Sequence, residues 1–169
     1  MITTLTALGL MILSAQMGSE KMLPPERIFS IIEDAASMRE SDVATVANLF
    51  HSTPKKVPEW STPYVDVFTA DISISAPFRT FEMRVPSHPQ TANGLIILSL
   101  APTDGCVSSN DITKKYGPPP EFSPPNAREP ADAPEYFVYR RSWGDLKFGV
   151  SRGAPYCLLS VVIDWAVKH

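Results

Sequence analysis

The chain has 169 residues, 44% of them hydrophobic and 20% charged, with a formal net charge of −3. That length fits one domain of ordinary size, and strongly apolar runs exclude an intrinsically disordered chain. With no basic excess, Lys55-Lys56, Lys114-Lys115 and Arg140-Arg141 read as scattered solvated surface, so nucleic acid is not expected as a partner.

Proline is the outlier, at 17 residues. Most of it separates apolar segments, which makes stiff connections rather than a low-complexity tract. The N-terminus, MITTLTALGLMILSAQMGSEK, opens with an apolar run shorter than the roughly 20 residues a bilayer span needs. It reads as a secretory signal over residues 1–19, with Ser14-Ala15 and Gly18-Ser19 as small residues near a cleavage point. The alternative is an N-terminal helix packed on the domain.

Pro24-Pro25 then introduces ERIFSIIEDAASM, where Ile28, Ile31, Ile32, Ala35 and Ala36 form a helical stripe. Pro25 suits the first turn because its missing N–H has no partner there anyway. A second helix is expected at once, with Ser41 as N-cap and Val43, Val46, Ala47 and Phe50 on one face. After Pro58 the period changes to two. Tyr64–Ile74 reads as a strand, Arg79–Val85 alternates apolar and polar residues, Asn93-Gly94 marks a turn, and Leu95–Leu100 is an apolar strand.

A helix–strand series follows again. Ser109, Asn110 and Asp111 offer an N-cap, Ile112–Tyr116 is a short helix, and Gly117 with Pro118–Pro120 ends it and holds the exit extended. Tyr136–Trp143 reads as a strand, Gly144-Asp145 as a turn, Leu146–Val150 as a second strand and Leu158–Trp165 as a third. Phe81–Val85 aligns with Leu146–Val150, and Leu95–Ala101 with Leu158–Asp164, at a spacing of about 65 residues. The expected architecture is α+β: two tandem units, each a helical segment plus a three-stranded antiparallel meander, with the helices on one sheet face. The first unit would span residues 20–101 and the second 102–169, in one compact domain overall.

The run Ile112-Thr113-Lys114-Lys115-Tyr116-Gly117-Pro118, followed by strands at Tyr136–Tyr139, Leu146–Val150 and Leu158–Ile163, resembles the outer-membrane assembly lipoprotein family BamE/SmpA. Two such units in tandem resemble the β-lactamase inhibitor protein fold. The resemblance implies a non-catalytic protein that binds another protein.

Chemistry is sparse. Gly149-Val150-Ser151-Arg152-Gly153 has the G-x-S-x-G spacing, with Asp164 and His169 after it. That motif activates serine only on a strand–turn–helix elbow, and here Ala154-Pro155 and another strand follow. His51, His88 and His169 lack metal-ligand spacing, and no glycine-rich phosphate loop is present. Catalytic residues, metal and cofactor are therefore all expected to be none. Asp66, Asp71 and Glu82 are candidates for one sheet face. Cys106 and Cys157, an even pair, suit one disulfide in an oxidising compartment or else two buried thiols.

What remains is surface for recognition. Trp60, Tyr64, Tyr139, Arg141 and Trp143 are the candidate partner-binding residues, because aromatic and Arg side chains are enriched at interface hot spots. The sequence is read as a periplasmic or secreted protein-binding module that neutralises or inhibits one partner enzyme or toxin, of the immunity or inhibitor type. The alternative is a structural or assembly factor of an envelope or secretion machine.

Overall fold

The computed structural model describes residues 23–39, 42–72, 78–87, 94–100, 105–125 and 128–165. The expected signal segment, Ser41, Asn93, His88 and His169 lie outside the described residues.

Helix α1 (Pro25–Ser37) begins with proline in its first turn, and Ile28, Phe29, Ile32, Ala35 and Ala36 are buried along it. Helix α2 (Val43–Leu49) is capped by Asp42, whose carboxylate accepts the Thr45 N–H at 2.8 Å. That bond holds the Asp42 carboxyl below its usual range. The cap is thus Asp42, one residue after the expected Ser41. After the helix, Phe50 buries its ring on Phe78 and Phe81.

The strands are β1 (Lys55–Lys56), β2 (Val65–Asp71), β3 (Phe78–Pro86), β4 (Leu95–Leu100), β5 (Glu121–Ser123), β6 (Glu135–Arg141), β7 (Gly144–Val150) and β8 (Leu158–Trp165), with α3 (Ser109–Tyr116) between β4 and β5. They form one eight-stranded antiparallel sheet in the order β1-β2-β3-β4-β8-β7-β6-β5. This corrects the expected pair of tandem helix-plus-three-strand units. Two short edge strands, β1 and β5, add a fourth strand to each side, and β4 pairs with β8 from Leu95↔Asp164 to Ser99↔Ser160. That central ladder makes a continuous sheet where a boundary between units was expected. The edge strands escaped detection for a physical reason: every residue of Lys55-Lys56 and Glu121-Phe122-Ser123 is exposed, so no apolar alternation marks them.

One core lies between this sheet and the helices. Ile28, Phe29 and Ile32 of α1, Val46 and Ala47 of α2 and Ile112 of α3 join Phe81, Met83, Ile96, Leu98, Leu146, Phe148, Val161 and Ile163 from the sheet. Trp165 closes it: the indole is 2% exposed, and its Nε1–H donates to the Ala36 carbonyl at 2.9 Å, tying the last strand to the end of α1.

Helix α3 carries a full capping box. Ser108 Oγ accepts the Asp111 N–H, and Asp111 Oδ2 accepts the Ser108 N–H at 2.9 Å. The cap is thus Ser108, one residue before the expected candidates. Gly117 takes φ +84°, where a side chain would be strained. Its carbonyl accepts the Tyr139 hydroxyl at 2.8 Å, and the prolines that follow lead the chain to edge strand β5. The β6–β7 turn is Ser142-Trp143, not Gly144-Asp145, because Gly144 already pairs with Arg141.

Cys106 and Cys157 are bonded, with Cα atoms 5.0 Å apart. The segments around them pair as well: Leu158 N–H donates to Val107 O at 2.8 Å and Ser109 N–H to Tyr156 O at 3.0 Å. The disulfide therefore fastens the approach to α3 onto the start of β8. Of the two readings left open by the sequence, the bridge is the one found.

Candidate functional site

Alternation along the strands sends every second side chain to the sheet face away from the core. On β2 and β3 these are Val67 opposite Arg84, Thr69 opposite Glu82 and Asp71 opposite Thr80. The row continues across the sheet through Ile97 beside Glu82, Val162 beside Ile97, Lys147 beside Val162 and Val138 beside Lys147. All three described helices contribute to the core on the other side. Among the described residues, strand side chains present the outer face, with Pro134 reaching it beside Gly149 and a loop segment lining it at the β1–β2 flank.

At that flank the segment after β1 folds back over the sheet. Val57 N–H donates to Val67 O at 2.8 Å, and Ser61 Oγ donates to Val57 O while accepting the Val67 N–H at 3.0 Å. These bonds fix the loop that carries Trp60, and they explain why Val67 is buried although it lies outside the core cluster. Trp60 itself is 58% exposed. It lines two adjoining hollows, one of about 600 Å³ with His51, Lys55, Thr69, Asp71, Thr80 and Glu82, and one of about 300 Å³ with Thr62, Val65, Val67, Glu82 and Arg84.

The groove's charges are only partly paired. Arg84 Nε donates to Glu82 Oε1 at 2.7 Å, whereas neither Lys55 nor Asp71 is ion-paired among the described residues. Asp71 and Glu82 do share a face, as expected. Asp66 does not: it sits opposite Val85 on the inner side and pairs with Lys56 at 2.7 Å.

The centre of the outer face is a half-buried apolar band, Leu95, Ile97 and Val162, flanked by Lys147 bound to Asp164 at 2.8 Å. Toward β6 the face is filled differently. A Cβ on Gly149 would meet the Tyr136 ring at 3.0 Å and collide with Ser160 Oγ, so Tyr136 closes over the glycine. Sequence reasoning missed this pairing. Its signal was a lone glycine inside an otherwise apolar strand.

The five candidate binding residues separate into two groups. Trp60 and Tyr64, 58% and 71% exposed, share the loop before β2. Tyr139, 3% exposed, faces the core, with its hydroxyl committed to Gly117. Arg141 lies over the Tyr116 and Tyr139 rings at 5.5 and 5.9 Å, and Trp143 is half-buried in the β6–β7 turn. Desolvation pushes the Tyr139 hydroxyl pKa up against the opposing pull of Arg141. Desolvation first, then the nearby Glu33 carboxylate, pushes that of Tyr116 up further. Neither phenol is poised to ionise near neutral pH. With β2 and β6 separated by five strand intervals, the two groups stand about 24 Å apart across the sheet.

The remaining chemical candidates resolve into scaffold. Ser151 lies in the β7–β8 connection, where its Oγ accepts the Cys157 N–H at 2.9 Å. No helix follows it to make a nucleophile elbow, and Asp164 is engaged by Lys147. Among the described residues no cluster of His, Cys, Asp and Glu has metal-binding proximity, and no helix is long and apolar enough to cross a membrane. Comparison with protein-family models, with curated proteins and with solved structures gives no significant match.

Proposed function

We propose that this chain is an exported, non-catalytic binding module whose outer sheet face docks on one partner protein, an enzyme or toxin of the cell envelope, and neutralises it. The observation that carries the reading is the exposed face itself: a central apolar band of Leu95, Ile97 and Val162, rimmed by the Glu82–Arg84 and Lys147–Asp164 ion pairs. An apolar centre with a polar rim is the usual composition of a protein interface. The six longer strands, β2–β4 and β6–β8, make a face about 24 Å wide and roughly 20 Å long. That gives roughly 500 Å², the larger part of the roughly 800 Å² a partner contributes in a standard complex. A sheet face changes shape little on binding, so few degrees of freedom are lost.

The disulfide supports a periplasmic or secreted setting, since such bonds persist in oxidising compartments. The test is capture of partners from a native cell envelope with the disulfide-bonded protein, in parallel with Ile97→Glu. One near-stoichiometric enzyme, inhibited in the complex and lost with Ile97→Glu while the fold is intact, is the expected result. Retention of the same partner by Ile97→Glu would refute the docking face. Recovery of several components of one machine, none inhibited, would refute neutralisation.

A further inference from the structure

The groove around Trp60 differs in chemistry from the apolar centre of the face, and it asks for a different ligand. Its two hollows, about 600 and 300 Å³, fall in the range of small-molecule sites, roughly 300–1,000 Å³. Apart from His51, the charged groups lining them are Lys55 and Arg84 against Asp71 and Glu82. They balance in sign, so the groove favours neither an anion nor a cation. Thr53, Thr69 and Thr80 with Ser52 add hydroxyls to the larger hollow.

Trp60 stands between these polar groups without belonging to the core cluster, and among the described residues no aromatic ring packs against it. A large indole, 58% exposed and held on a hydrogen-bonded loop, is a flat apolar platform beside a set of donors and acceptors. The ligand that matches both halves has an apolar face of C–H bonds and an equatorial rim of hydroxyls.

We propose that this groove binds a short uncharged oligosaccharide, one pyranose ring stacked on Trp60 and its hydroxyls bonded by Asp71, Glu82, Lys55, Arg84 and the threonines. The paired planar groups of Glu82 and Arg84 accept from and donate to neighbouring hydroxyls, while Asp71 and Lys55, lacking ion-pair partners, exchange water for sugar at little cost. An extended peptide is the weaker match. Peptides add affinity through main-chain bonds at a sheet edge, and β1 is a two-residue strand bounded by Pro54 and Pro58. This inference does not rest on the protein-partner reading.

The test titrates the intact, disulfide-bonded chain with chitotriose, cellotriose and maltotriose and follows the indole N–H resonances of its three tryptophans by NMR. At least one trisaccharide is expected to shift the Trp60 signal saturably and to leave the buried Trp165 signal in place. Trp60→Ala should weaken that affinity by about tenfold or more, and Trp60→Phe by less. Val162→Glu, on the apolar band but two strands away from Glu82, should leave it unchanged, which separates this site from the protein-docking face. No saturable shift with any of the three, or equal affinity in Trp60→Ala, would overturn the proposal. A protein partner that binds in a Trp60-dependent way while no glycan does would give the groove to the protein interface instead.

Discussion

The two flanks of the sheet are built from similar strands but finished in opposite ways. On the β6–β8 side every layer is filled. Phe29, Tyr116, Tyr139 and Phe148 form a connected ring cluster with centroids 4.9–6.3 Å apart, and Arg141 stacks above it. The disulfide ties α3 to β8, and Tyr136 closes over Gly149 on the outer face. On the β1–β3 side the inner face is just as well packed, through Phe50, Phe78 and Phe81. Its outer face is left hollow beneath an exposed tryptophan. Where a domain fills one flank to interior density and leaves the other open, the filled flank sets stability and the open one is free for recognition. That division predicts large stability effects on one side and small ones on the other.

The largest effect should come from the cross-link. Replacing both Cys106 and Cys157 with Ser opens a loop with a sequence separation of 51. The chain-entropy model puts the loss at about 4 kcal/mol. Urea denaturation of the oxidised protein and the double variant measures it directly. A loss under about 1 kcal/mol would mean that the Val107–Leu158 and Ser109–Tyr156 backbone bonds hold this junction without the bridge.

Next come the two glycines of the G-x-S-x-G spacing, which the structure makes an internal control. Gly149→Ala forces a Cβ against Ser160 Oγ and the Tyr136 ring and should cost about 1–3 kcal/mol, the range for overpacking. Gly153→Ala meets nothing within 4 Å and should be neutral or stabilising by up to about 1 kcal/mol. Thermal unfolding of the pair would show the difference. Equal melting temperatures would mean that the outer face at Tyr136 is loosely packed, and the contrast between flanks would fail there.

How much of this was legible beforehand depends on burial. The stripe Ile28, Ile32, Ala35 and the alternation Phe81, Met83, Val85 could be read because the core imposes its period on the sequence. The exposed edges Lys55-Lys56 and Glu121–Ser123 could not, and that omission turned one eight-stranded sheet into two three-stranded units. The β4–β8 ladder was equally hidden, since two apolar strands specify a buried place but not a neighbour. At the site, Trp60 and Tyr64 were candidates for partner binding by residue type, and only the structure shows that both are exposed. Residue type grouped Tyr139 with them because Tyr136–Trp143 is apolar or aromatic at positions on both faces, and only register shows that Tyr139 lies opposite buried Leu146. The same register separates Asp66 from Asp71 and Glu82, a distinction carried by one residue of parity.

A smaller effect is expected at Tyr139, where the hydroxyl spans from β6 to the end of α3. Tyr139→Phe keeps the ring in its cluster and removes only the bond to the Gly117 carbonyl. The cost should be about 1 kcal/mol, read as a shift in the urea midpoint with an unchanged slope. A larger change, or a changed slope, would mean that this bond also holds the Gly117–Pro120 exit and with it edge strand β5. Amide exchange at Phe122 would then rise in the variant.

The smallest effect belongs to Trp60, and it is the most discriminating. Trp165 is the buried counterpart: Trp165→Ala would remove a 2%-exposed indole and orphan the Ala36 carbonyl, at about 3–5 kcal/mol. Trp60→Ala removes an indole of the same size from a loop pinned through Ser61 and Val57 rather than through its own ring. Its cost should stay within about 0.5 kcal/mol, as for surface substitutions that touch no packed feature. The two substitutions, compared by denaturation under the same conditions, ask whether a tryptophan is held here for the fold or for something outside it. A loss of 2 kcal/mol or more at Trp60, by about the measure of a buried side chain, would make the indole the lid of Val67 and take the groove's platform away. A negligible loss leaves the indole without a structural role, as its place as the platform of the proposed groove requires.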